Sequence, residues 1–297
     1  RFLNEEDITL ISPHMAPGLY EAFGTEEFDD LYLKYEADKT IPKKTVAAQD
    51  LFFDLLKERA ETGRIYIMNL DHCNSHSSFK DKVSMSNLCQ EITLPTTPIQ
   101  DIHDDQGEIA LCILSAVNVG GLNDLSELEN ICDLSVRALE QIIDYQHYPV
   151  KAAEVSTKKR RSLGIGYIGL AHYLAKNGVK YSDPEAWALV DRLTEAFQYN
   201  LLRASCNIAM EKGKCEGFER TKYADGLLPI DHYKKDVDKI VPHKQRMAWE
   251  SLRKDIAKHG LRHSTLSAQM PSESSSVVSN ETNGIEPPRA LMAIKKS

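Results

Sequence analysis

At 297 residues, 42% hydrophobic and 27% charged, the chain has enough apolar material for a large core, as one big α/β barrel or two ordinary domains. A formal net charge of −8 argues against a general nucleic-acid binder, yet leaves room for a phosphorylated small molecule held at a helix terminus. No apolar run reaches membrane-spanning length and no basic leader precedes a hydrophobic stretch, which predicts a cytoplasmic protein with no membrane partner.

Residues 1–40 read as loop-rich, punctuated by Pro13, Pro17 and Gly18, with a short helix from about Thr25 that carries Leu31, Tyr32 and Tyr35. From Pro42 to about Glu61, Val46, Ala47, Leu51, Leu55 and Leu56 recur at helical spacing, and Gly63 follows as a stop. Ile65 to Leu70 reads as a compact strand. Asp71-His72-Cys73-Asn74-Ser75-His76 then offers two histidines and a thiol, but no second cluster stands at ligand spacing and no CxxC pair occurs. It reads as a polar loop, and no metal site is expected. The six cysteines, at 73, 89, 112, 132, 206 and 215, suit a reducing cytosol better than a disulfide scaffold.

The stretch that carries chemistry is Asn87-Leu88-Cys89-Gln90-Glu91. Alternate side chains of an extended backbone share a face, so Asn87, Cys89 and Glu91 are expected to point into one space. An amide, a sulfur and a base aimed together make a candidate reaction site; the plainer alternative is a half-buried strand whose cysteine acts as a small hydrophobe. Pro95 and Pro98 end the stretch. After a turn at Asp104 to Gly107, Glu108 to Leu114 is nearly unbroken in apolar character and suits a strand buried on both faces, with Cys112 in its midst. Asp124, with Glu127 three residues on, caps a helix whose stripe is Leu128, Ile131, Leu134, Ala138, Leu139 and Ile142.

Lys158 to Arg161 is a basic cluster of the kind that usually forms a solvated face or a helix end. Gly164-Ile165-Gly166-Tyr167-Ile168-Gly169 matches the dinucleotide fingerprint in form, with Asp191 at a tolerable distance. Four basic residues stand where the fingerprint needs a strand, so close helix packing around small residues is the preferred reading over nicotinamide binding. Ser182-Asp183-Pro184-Glu185 opens a helix carrying Trp187, Val190, Leu193, Phe197, Leu201 and Ile208 to Gly213. Weak helical character follows over 231–240. Residues 246–259 form an amphipathic helix closed by Gly260. Ser264 to Met270, Pro271 to Ser276 and Val277-Val278 read as strand, polar turn and helix start, where hydroxyls and backbone N–H groups suit an anionic phosphate. A turn at Asn283 to Arg289 closes the chain.

Six of these segments together resemble the large, catalytic subunit of class I ribonucleotide reductase: Asp71 to Asn74, Ser86 to Glu91, Glu108 to Asn118, Arg160 to Gly166, Leu261 to Ser276 and Asn283 to Arg289. They run in that family's order from end to end. The resemblance implies an α/β fold, part of a ten-stranded barrel whose central finger loop carries a cysteine, with residues 1–297 as one partial catalytic barrel domain. It makes Cys89 the cysteine that becomes a thiyl radical, Glu91 the base and Asn87 the amide that holds the ribose and helps order Glu91. Cys112 is then one half of a redox-active disulfide whose partner lies upstream of Arg1. Ser272, Glu273, Ser274 and Ser275 match the turn that receives the substrate diphosphate; position 274 is often threonine in relatives, and serine keeps the hydroxyl.

The same resemblance implies no cofactor bound by this chain, a radical supplied by a metal-containing small (beta) subunit, electrons from thioredoxin or glutaredoxin, and nucleotide effectors that bind outside these residues. The partners it implies are a ribonucleoside diphosphate substrate and a second large subunit in a homodimer. Arg1-Phe2-Leu3-Asn4 reads as the middle of a polypeptide, both ends read as cut, and residues 1–297 alone are not expected to turn over. A reading of another class is a noncatalytic assembly or nucleotide-binding module left by a split or decayed gene; the intact Asn87, Cys89, Glu91 and Cys112 count against decay.

Overall fold

The computed structural model describes residues 1–242, 244–290 and 292, which fall into two units, Arg1–Ser75 and His76–Ser297. In the first, β1 (Asp7–Ile11) pairs antiparallel with β2 (Lys43–Ala47) in the register Asp7↔Ala47 to Ile11↔Lys43. Between them lie the short α1 (Leu19–Ala22) and α2 (Glu27–Ala37), and α3 (Ala48–Thr62) follows β2 directly. The Tyr32 hydroxyl fastens α2 to β1, donating to the Thr9 carbonyl at 2.8 Å and accepting the Thr9 N–H at 2.8 Å.

Two expectations fail in this unit. The helix expected from Pro42 begins only at Ala48, because Val46 and Ala47 are taken by the β2 ladder. The strand expected over 65–70 is irregular, and the following 71–76 is helical, as α4 (Leu70–His76), rather than a loop. A β-branched run makes a strand only where a partner backbone pairs with it.

The second unit is built on β3 (Ile113–Asn118) and β4 (Leu163–Ile168), which pair in parallel from Ile113↔Leu163 to Asn118↔Ile168. A parallel pair needs a long crossover, supplied here by α5 (Glu127–Tyr145) and α6 (Lys151–Arg160). On the other edge of β4 the chain at 265–268 runs alongside: Leu163 N–H donates to Thr265 O at 3.1 Å and Ile165 N–H to Leu266 O at 2.8 Å. The strand read over 264–270 is thus present as a single parallel bridge, Ile165↔Ser267. The α/β class holds, but these strands do not close a barrel.

Behind the sheet come α7 (Leu170–Lys176) and the long α8 (Pro184–Lys212), then the single-turn α9 (Pro229–His232), α10 (Trp249–His259) and α11 (Glu273–Val278). The core runs between β4, α5, α8 and α10 through Leu128, Val136, Ile165, Phe197, Leu201 and Leu252. Glu127 Oε1 accepts the Asp124 N–H at 3.3 Å, but α5 begins at Glu127 and its N-cap is Ser126, not Asp124. Its buried stripe is different: Leu128, Cys132, Val136, Leu139 and Ile143 face inward, while Leu134 and Ile142 are exposed. Cys132, which is not in the expected stripe, is fully buried and sets the phase. Trp187, expected in the core, is 40% exposed, and with Tyr167, Tyr181 and Trp249 it lines an apolar cavity of about 700 Å³.

Candidate active site on one face of a glycine-bearing strand

Gly164 and Gly166 lie two residues apart in β4 and therefore on one face. A Cβ added at Gly164 would sit 2.4 Å from the Cys112 sulfur and 3.1 Å from the Ala268 Cβ. One added at Gly166 would sit 2.5 Å from the Ala268 carbonyl oxygen and 3.0 Å from the Met270 sulfur. The glycines make a bare floor on which the Cys112 thiol and the 268–270 segment rest. The GxGxxG segment is therefore itself a strand, not the turn after one that a dinucleotide site requires. Its small residues serve packing, as expected, but against a thiol and a neighbouring segment rather than a helix.

Cys112 stands just before β3, not inside a strand running from 108. Burial pushes its thiol up to about 12, and the Glu91 charge adds to the shift, which brings Glu91 and Cys112 into one electrostatic neighbourhood. Glu91 Oε2 is buried without a hydrogen-bond partner. A buried carboxyl oxygen without a partner is costly to hold.

The residues 87–91 are not extended. They form a tight turn in which Gln90 N–H donates to Asn87 O at 3.2 Å and Asn87 N–H to Ile92 O at 3.4 Å, with Gln90 at φ +60°. Strict alternation of faces is lost, because the chain reverses at Cys89. Asn87 and Cys89 are exposed at the tip, and Glu91 turns inward. The Asn87 amide oxygen accepts the Ile92 N–H at 3.3 Å and the Ser86 hydroxyl at 3.4 Å, so here it braces the turn.

Ser272 caps α11 and is buried, whereas Glu273, Ser274 and Ser275 are exposed on its first turn. Ser272 N–H donates to Asn283 Oδ1 at 2.9 Å, which locks the turn onto the 283–289 loop. The Ser275 and Ser276 hydroxyls both donate to the Ser272 carbonyl, at 3.3 and 2.6 Å. Met270, two residues before the turn, carries it to the Gly166 end of the floor.

Two buried ionic clusters went unread in the sequence. Arg160 and Arg161, expected on a solvated face or at a helix end, do close α6 but are buried and paired. Arg160 donates through Nε to Glu108 and through Nη1 to Asp81 at 2.8 Å. Arg161 donates to Glu140 at 2.7 Å and Asp144 at 2.8 Å. The available signal was Glu108, a lone carboxylate heading an apolar run, since a buried charge demands a partner. Among the described residues no group of three His, Cys, Asp or Glu is arranged to hold a metal ion, and no helix is long and apolar enough to cross a membrane.

The family model described as "Ribonucleotide reductase, barrel domain" matches residues 1–297. The ribonucleoside-diphosphate reductase subunit alpha of Haemophilus influenzae is 57% identical over the whole of this chain, and the ribonucleoside-diphosphate reductase 1 subunit alpha of Escherichia coli K12 is 55% identical. The ribonucleoside-diphosphate reductase subunit alpha of Enterobacteria phage T4 is 42% identical, again over all of this chain. In each case the chain spans 40% of the relative's length.

Proposed function

The chain belongs to the ribonucleotide reductase barrel-domain family, and from this we propose that it is the central part of a ribonucleoside-diphosphate reductase large subunit, which makes 2′-deoxyribonucleotides by thiyl-radical chemistry. Both units would then be portions of one partial catalytic barrel domain. The observation that carries the reading is the protonated Cys112 thiol seated over Gly164 with the Glu91 carboxylate beside it. A thiol that must deliver hydrogen has to keep its proton until the substrate needs it, and burial ensures that.

The ribose 2′-hydroxyl is a poor leaving group on an unactivated carbon. In the proposed reaction Cys89, as a thiyl radical, takes the 3′ hydrogen, and Glu91 takes the 3′-hydroxyl proton as general base. Asn87 orients the ribose. The 2′-hydroxyl then leaves as water, and Cys112 with a second thiol from outside this chain supplies the two reducing equivalents and ends as a disulfide. Cys89 finally returns its hydrogen to C3′. Ser272, Glu273, Ser274 and Ser275 receive the diphosphate at the start of α11, where helix N–H groups lack intrahelical partners.

The radical would come from a metal-containing small subunit, re-reduction from thioredoxin or glutaredoxin, and allosteric nucleotides would bind elsewhere in a homodimer of complete large subunits in the cytoplasm. The test is made in the full-length polypeptide with its small subunit. Cys89→Ser is expected to lose reduction while keeping nucleotide affinity. Glu91→Gln is expected to slow the chemical step by about 100-fold or more, the usual weight of a general base. Normal turnover by Cys89→Ser ends the radical assignment.

A further inference from the structure

Loop 81–97, with Cys89 at its centre, is held at both ends. At its start, Asp81 accepts from Arg160 Nη1 at 2.8 Å and from Arg220 Nε and Nη2 at 2.9 and 2.7 Å. At its finish, Thr97 and Glu108 pair in an antiparallel bridge, each N–H donating to the other's carbonyl at 3.0 Å. The Glu108 side chain, four residues before Cys112, returns to the same guanidinium through Arg160 Nε, with Lys159 at 3.0 Å and Arg220 at 3.4 Å. Asp81, Glu108 and Arg160 are largely removed from solvent, and Phe79 and Val83 bury the strand of chain that enters the loop.

Resting on the reading of Cys89 and Cys112 given above, we propose that Arg160, Asp81 and Glu108 are positioning residues. They form a clasp that closes the base of loop 81–97 and fixes the reach of Cys89 relative to Cys112. A buried ion pair is a poor way to gain stability, because desolvation of the charges consumes most of the attraction. What it supplies is direction. A guanidinium offers donors along fixed axes, so one planar group holds two carboxylates from two segments at a set angle, which a lysine does not. Here those segments carry the two sulfurs. The other buried cluster, around Glu140, joins α5 to Arg161, Arg262 and His263 and holds no part of this loop.

The experiment uses the full-length enzyme with its small subunit and compares Asp81→Asn, Arg160→Lys and Glu140→Gln. A reacting sulfur displaced by about an ångström costs on the order of 100-fold in rate, so Asp81→Asn and Arg160→Lys are expected to lower kcat by roughly that factor. KM for the nucleotide is expected to stay near the parental value, since the phosphate turn is untouched. Glu140→Gln is expected to lower Tm and leave kcat unchanged. Should Arg160→Lys fail to fold, Asp81→Asn, at the more exposed end of the clasp, carries the test. Parental kcat in Asp81→Asn overturns the clasp, as does a kcat that falls in step with Tm across all three variants. Turnover retained in Cys89→Ser removes the functional reading itself; loss there, with Asp81→Asn at full rate, removes only the clasp.

Discussion

Glu140 shows how one residue can be committed to charge deep in this fold. Burial pushes its carboxyl up, but hydrogen bonds from His263, Arg161 and Arg262 outweigh that and hold it at about 2. Burial pushes His263 down, so its imidazole is neutral, with Nε2–H donating to Glu140 at 3.1 Å and Nδ1 accepting from the Ser205 hydroxyl at 2.9 Å. A carboxylate with a depressed folded pKa contributes its full stability above the ordinary value of 4.5, and the contribution is lost as pH falls toward 2. His263 adds an earlier loss that begins below its ordinary 6.5. Urea unfolding at a series of pH values is expected to show both declines in the parent protein. Glu140→Gln is expected to be less stable near neutrality by roughly 3 kcal/mol, since it takes the carboxylate from Arg262 and leaves the buried Arg161 with Asp144 alone. Its slope between pH 4.5 and 2 is also expected to be shallower than the parent's, other depressed carboxylates such as Glu108 and Glu195 supplying the rest. A variant with the parental slope there would mean that Glu140 is not the group that titrates.

At the scale of elements, β4 is decisive, and its glycines are under a different constraint from the capping glycines. Gly164 and Gly166 have ordinary strand geometry, so their smallness matters, not their backbone freedom. Gly166→Ala sets a methyl 2.5 Å from the Ala268 carbonyl oxygen, which is backbone and cannot rotate away. The 265–268 segment has to separate from β4, and overpacking of this kind costs about 1–3 kcal/mol. The expected result is a lower urea midpoint for Gly166→Ala with an unchanged m-value; an equal midpoint would show that the segment yields freely. Helix signals in the sequence were largely legible here, as in the Asp183–Pro184 start of α8 and the Gly260 end of α10, because caps and stops are local chemistry. The strands were less so. β1 and β2 carry mixed polar residues and pair with each other, while Ile65–Leu70 has the composition of a strand and is irregular. For the candidate site the sequence offers residue types but not their arrangement: nothing within Asn87 to Glu91 announces a reversal that turns Glu91 inward beside Cys112.

For the whole molecule, the feature with a consequence for association is the sheet edge of the second unit. Among the described residues of this unit, β3 pairs with β4 and with no other strand. Leu111 and Leu114 lie exposed at that edge, and Val277 and Val278 project from α11 at 79% and 87% exposure. A strand edge of this character offers unpaired N–H and C=O groups to any other chain, and exposed apolar residues nearby strengthen the contact. Residues 1–297 prepared alone are therefore expected to self-associate in sedimentation velocity, increasingly so as concentration rises. Replacing Leu114, a 44% exposed residue of this edge strand, with lysine puts a charge on β3 and is expected to shift the population toward monomer. A monomeric sediment for the parent fragment at all concentrations would show that β3 is adequately protected as it stands. Self-association relieved by Leu114→Lys would instead show that copies of these residues meet through β3.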